Sequence, residues 1–152
     1  LGVVEHAGHR FVVADIPGLI EGASEGAGLG HRFLRHIERT RVIVHLLDVG
    51  AHLMEGRDLL ADYEVIRREL GRYQASLLAR REIVILNKID LLADHSPLAE
   101  VERELTARGI AVMKLSGATG EGTRELVRAM LEAVEAAMAA EQAGSGAAGG
   151  AR

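Results

Sequence analysis

Residues 83–90 read Ile83-Val84-Ile85-Leu86-Asn87-Lys88-Ile89-Asp90, an apolar run that stops at a polar quartet. The run predicts a strand, and the quartet has the chemistry of a base reader. An ionised Asp90 can accept two hydrogen bonds side by side from the N1 and 2-amino donors of guanine, whereas adenine offers neither donor there. A carboxylate left unpaired opposite adenine is costly, so the pattern discriminates. Asn87 supplies an amide that can tie the loop and reach the other edge of the base. The stem of Lys88 can lie along the ring with its ammonium in solvent. Four residues with one free position are still weak evidence by themselves, equally compatible with an ordinary strand-to-helix turn.

Two further strand ends point the same way. Phe11-Val12-Val13-Ala14 leads into Asp15-Ile16-Pro17-Gly18. In a nucleotide site Asp15 would hold a magnesium ion, Mg2+, through water, and the Gly18 amide could approach a terminal phosphate closely. Alone, Pro17-Gly18 is also a strong turn signal. Ile110 to Leu115 leads into Ser116-Gly117-Ala118, whose backbone amides could contact a guanine carbonyl while Ser116 braces the Asp90 loop. Three such ends in order predict a ligand site on the carboxyl edge of an α/β sheet.

The long run from Asp15 through Gly22, Gly26, Gly28 and Gly30 to Arg39 resembles the switch II region of the Obg family of bacterial GTPases. With Asn87-Lys88-Ile89-Asp90 and Ser116-Gly117-Ala118, the resemblance covers most of residues 1–140. It implies a Ras-like G domain, an α/β fold with a mostly parallel sheet flanked by helices on both faces. It also implies GTP and GDP as ligands, magnesium as cofactor, a role in ribosome assembly through a ribosomal subunit, and a cytoplasmic location. The family more often carries Ala where Gly117 stands. A backbone amide makes that contact, so the exchange keeps the donor and loosens the loop.

One expected part is missing from the sequence. A P-loop, G-x-x-x-x-G-K-[ST], needs a Gly-Lys step, but the only lysines are Lys88, after Asn87, and Lys114, after Met113. The resemblance places Leu1-Gly2-Val3-Val4 just after switch I. The expectation is therefore a fragment lacking the first strand, the P-loop helix and the switch I threonine, with a degenerate protein that lost its P-loop as the alternative. The absent strand would lie inside the sheet, leaving unpaired strand edges and a tendency to aggregate.

Composition is that of an ordinary globular chain: 152 residues, 48% hydrophobic, 26% charged and net charge −4. The charge supplies no global basic field for nucleic acid, although Arg32, Arg35, Arg39 and Arg41 cluster after the glycine-rich segment, as a solvated face or as an RNA or partner contact. The chain has no cysteine, so disulfides and thiolate metal sites are excluded. No apolar stretch approaches the roughly 18 residues of a membrane span. The seven histidines are expected in surface or capping roles.

Elements follow from periodicity. A hairpin is expected about Ala7-Gly8-His9, a switch in the glycine-rich segment, a short helix from about Leu29 to Thr40, and a strand buried on both faces over Val42 to Leu47 that ends at Asp48. Leu59, Tyr63, Ile66 and Leu70 predict one helix. Leu98, Val101 and Leu105 predict another, with Ser96 as N-cap and Pro97 at its first position. Val127, Met130, Leu131, Val134 and Met138 form a third stripe, a core face or a partner groove. Residues 1–140 are read as a partial G domain and 141–152, rich in Ala, Gly and Ser, as a disordered tail.

No catalytic residue is identified. Ras-like proteins that use glutamine place it directly after D-x-x-G, where this chain has Leu19. Hydrolysis by the complete protein must then orient water by another group, an ion or a partner, which predicts slow intrinsic turnover. The alternative is a hydrolysis-incompetent module that binds a partner through the switch II helix. An adenine-nucleotide enzyme is disfavoured by Asp90.

Overall fold

The computed structural model describes residues 1–15 and 38–148. Ile16, Pro17, Gly18, Leu19, the glycine-rich segment and nearly all of the helix expected over 29–40 lie outside the described residues.

Strands β1 (Gly2–His6) and β2 (His9–Val13) form the expected antiparallel hairpin. Its two-residue turn puts both Ala7 (φ 50°) and Gly8 (φ 81°) in the left-handed region, the twist that suits a tight hairpin. Strands β3 (Val42–Asp48), β4 (Arg81–Asn87) and β5 (Ala111–Leu115) make a separate parallel sheet in the order β3-β4-β5. Among the described residues β2 and β3 do not pair, so each keeps an open edge.

Among the described residues four α-helices surround the parallel sheet: α1 (Val49–Glu55), α2 (Leu59–Tyr73), α3 (Ala99–Ala107) and α4 (Thr123–Ala148). Alternation along β4 divides the core in two. Val84 and Leu86 pack with Leu59, Tyr63, Leu98, Val101 and Leu105 on one face. Ile83 and Ile85 meet Leu126, Ala129, Met130 and Ala133 of α4 on the other. Helix α4 also touches the hairpin, where His9 Nδ1 lies 2.9 Å from a Glu135 carboxylate oxygen.

Several expectations are corrected. Strand β3 is not buried on both faces throughout: Leu46 is 57% exposed, because the layer that covers Val42 and Val44 stops short of it. Ser96 is not the N-cap of α3. Ser96, Pro97 and Leu98 form a 3₁₀ turn ahead of Ala99, and Asp94 accepts from the Ser96 amide (3.1 Å) and hydroxyl. The face of α4 toward the sheet is rotated onto Leu126, Ala129, Met130 and Ala133, and Met138 is exposed. Helix α4 continues through Ala148, into the stretch expected as a disordered tail, where alanine is the best helix former. Arg41, half exposed, donates from Nε to both Glu141 carboxylate oxygens at 3.1 and 3.0 Å.

His45 departs furthest from its expected surface role. It is buried, its ring stacks on Tyr63 at 5.1 Å, and Nδ1 lies 3.2 Å from Glu82 Oε1. Tyr63 donates to Glu82 Oε2 at 2.9 Å and Arg67 pairs with the same oxygen at 3.3 Å. Burial opposes the charge on Glu82, yet hydrogen bonds from His45 and Tyr63 and the Arg67 charge prevail and hold its carboxyl below the ordinary value. Burial and the Glu82 contacts push the Tyr63 phenol up to about 12.

Candidate functional site

Strand register assembles the site. Asp48 of β3 pairs with Asn87 of β4, which pairs with Leu115 of β5, so one row across the sheet delivers Asp48, Asn87 and Ser116 to the same carboxyl edge. Beyond that row, Asn87, Lys88, Asp90, Leu91, Gly117 and Ala118 line an open pocket of about 300 Å³.

The two loops are tied by side chains. Asn87 Oδ1 accepts from the Lys88 amide at 2.8 Å and the Gly117 amide at 3.1 Å, joining segments 30 residues apart. Ser116 is fully buried; its Oγ donates to Asp90 Oδ1 at 2.5 Å and accepts from the Thr119 amide at 3.1 Å. Ile89 is buried beneath the loop, anchoring it between the exposed Lys88 and Asp90. Asp90 lines the pocket, and its Oδ2 has no hydrogen-bond partner among the described residues. The Ala118 amide likewise has none among the described residues, whereas the Gly117 amide is already committed to Asn87.

Lys88 adopts φ 70°, an uncommon conformation for a residue with a side chain, and its Nζ reaches Asp48 Oδ2 at 2.6 Å. The other Asp48 oxygen caps α1 by accepting from the Ala51 amide at 3.2 Å. Burial works against the charge of Asp48, but these hydrogen bonds and the Lys88 ammonium hold its carboxyl below the ordinary range. Behind Ser116 the chain turns through Gly122 (φ 75°), where a Cβ would fall 2.4 Å from the Lys114 carbonyl oxygen. Only glycine fits there, and the turn sets Ser116 through its amide bond to the Glu121 carbonyl at 3.0 Å.

The structure therefore brings together Asn87, Lys88, Asp90, Ser116, Gly117 and Ala118. Asp15 is exposed just past the end of β2, the only described residue of the Asp15-Ile16-Pro17-Gly18 motif. Sequence reasoning missed Asp48 and Gly122. The two glycines of Gly120-Glu121-Gly122 were a visible signal for the turn, whereas Asp48 stood out only as the end of a strand. Among the described residues no group of three or more His, Cys, Asp or Glu side chains is placed to hold a metal. No helix there is long and apolar enough to cross a membrane.

Residues 1–88 match the family model described as 50S ribosome-binding GTPase. Among curated proteins, the chain is 52% identical over 135 residues to the GTPase Obg of Sphingopyxis alaskensis, covering 88% of this chain and 37% of that protein. It is 48% identical over 139 residues to the GTPase Obg of Clostridioides difficile, covering 89% of this chain and 32% of that one. The chain thus spans about a third of the length of these relatives. The solved G-domain of FeoB from Methanococcus jannaschii superposes with a TM-score of 0.60 at 24% identity, over 88% of this chain and 78% of that chain, a likeness of fold. Over more than half its length the chain matches that family model, and it belongs to the 50S ribosome-binding GTPases; the curated relatives it is similar to are Obg GTPases.

Proposed function

We propose that this chain reads the guanine base of GTP and GDP in an Obg-type GTPase that hydrolyses GTP slowly with magnesium and acts in ribosome assembly in the cytoplasm. The observation that carries the reading is the Asp90 carboxylate. Ser116 holds one of its oxygens at 2.5 Å, the other has no partner among the described residues, and Asp90 lines a pocket with Asn87, Lys88 and Ala118. A preset acceptor of this kind suits the paired N1 and 2-amino donors of guanine. Ala118 then supplies the amide for the guanine carbonyl, with Gly117 fixed behind it by Asn87.

Asp15, exposed at the strand end, suits an ion that keeps most of its water and takes its remaining ligands from phosphate oxygens. Bound there, Mg2+ would neutralise phosphate charge. Ile16, Pro17 and Gly18 complete the proposed phosphate side of the site. Leu19 has no polar atom with which to orient water, which supports slow turnover.

Single-turnover hydrolysis by the protein as its gene encodes it tests this reading. Slow, magnesium-dependent release of phosphate from GTP is expected. A rate matching a glutamine-bearing GTPase would overturn the slow-turnover claim. Tight GTP binding without any hydrolysis would favour the alternative, a binding module that grips its partner through the switch II helix.

A further inference from the structure

The Lys88 stem has a defined seat. A Cβ built on Gly50 would meet Leu91 Cδ1 at 2.9 Å and Lys88 Cδ at 3.5 Å, so lysine stem and leucine lie together over the bare start of α1. Lys88 and Leu91 both line the pocket. The far end of the lysine is fixed by Asp48 Oδ2 at 2.6 Å. Asp48 in turn is fixed by strand pairing with Asn87 and by its cap bond to Ala51. A free lysine would spread over many rotamers, and a tethered one presents a single apolar wall.

We propose that Asp48 is a positioning residue for guanine-nucleotide binding: it anchors the Lys88 ammonium so that the lysine stem stands as one wall of the base pocket. The inference rests on the guanine reading above and adds a residue from a separate strand. Its effect is on affinity for any base that stacks on the stem, while the choice of guanine over adenine stays with Asp90. The pair is about half exposed on both sides, so its influence weakens as salt is raised.

The test is a double-mutant cycle on the protein as its gene encodes it, reading fluorescent-GDP affinity at low and high salt. Asp48→Asn keeps a side-chain acceptor for the Ala51 amide and removes the charge that holds Lys88. It is expected to weaken binding by about three- to five-fold at low salt, as suits a partly exposed ion pair. Its melting temperature should stay near wild type and its guanine-to-adenine preference unchanged. In a Lys88→Met background the same substitution should have no effect. Should Asp48→Asn fail to fold, Asp48→Ser, a capping residue too short to reach the ammonium, takes its place in the cycle. Equal affinity in wild type and Asp48→Asn overturns the proposal and leaves the guanine reading standing. So does an undiminished effect in the Lys88→Met background, which would make Asp48 a cap and nothing more. Failure of the wild type to bind fluorescent GDP overturns both.

Discussion

Replacing Asn87 by alanine should loosen the site before any nucleotide arrives. The Asn87 oxygen is the sole acceptor seen for two backbone amides, Lys88 at 2.8 Å and Gly117 at 3.1 Å. A neutral hydrogen bond contributes a net ~0.5–1.5 kcal/mol, and both amides lie where water can replace the lost partner, so the lower part of that range applies to each. Together the two bonds are worth ~1–1.5 kcal/mol of local order, which corresponds to a roughly five- to ten-fold loss in nucleotide affinity. Asn87→Asp provides the contrast, since a carboxylate oxygen can accept from both amides while the amide donor to the base is lost. Amide hydrogen exchange in ligand-free protein is the assay. Gly117 and Lys88 should lose protection in Asn87→Ala and keep it in Asn87→Asp, although both variants bind GDP more weakly. Undiminished protection at Gly117 in Asn87→Ala would refute the claim that this side chain ties the loops together.

Other consequences follow from single contacts. Ala7→Asn should raise stability by ~0.5–1 kcal/mol in denaturant unfolding, because Ala7 sits at φ 50° in a two-residue turn that favours Asn before Gly8; a loss of stability would contradict the turn assignment. Glu82→Ala should cost ~3 kcal/mol, since it strips the acceptor from Tyr63, His45 and Arg67 at a carboxylate only 6% exposed; a change below ~1 kcal/mol would remove this network from the account of stability. The same network sets a pH window. Glu82 is held below its ordinary value of 4.5, so its stabilisation is present above that pH and disappears as the pH falls through the lower folded value. Tyr63 is raised to about 12 from 10.0, so its contribution is complete below 10.0 and is lost as the pH climbs toward 12. Unfolding free energy followed across pH should bend at both ends; Glu82→Gln should remove the acid bend and leave most of the alkaline one, since burial is the first cause of the Tyr63 shift.

The two loops that meet at the pocket were legible because their information is local. An apolar run ending in Asn87-Lys88-Ile89-Asp90 places those side chains at a strand end wherever the strand lies, and the same holds for Ser116-Gly117-Ala118 after β5. Helix α2 was legible for a similar reason, its 3.6-residue period being carried by Leu59, Tyr63 and Leu70, all buried. What stayed hidden depends on relations between distant segments. Asp48 reaches Lys88 only through the parallel register of β3 on β4. His45 looks like one polar residue in an apolar strand until Glu82 and Tyr63 are folded against it. The exposure of Leu46 depends on how far α4 covers the sheet, and Ser96, its amide and hydroxyl bound by Asp94, is drawn into a 3₁₀ turn, so α3 starts after it. Strand pairing and layer coverage are tertiary outcomes that a linear pattern does not encode.

The most direct test of the central claim is competition of GDP against ADP for the protein as its gene encodes it, with Asp90→Ala measured beside it. The account predicts that GDP competes at least ~100-fold better than ADP, because adenine leaves the preset Asp90 acceptor without donors, and that Asp90→Ala loses most of this margin. Equal competition by GDP and ADP, or an Asp90→Ala variant that keeps the full margin, would contradict it.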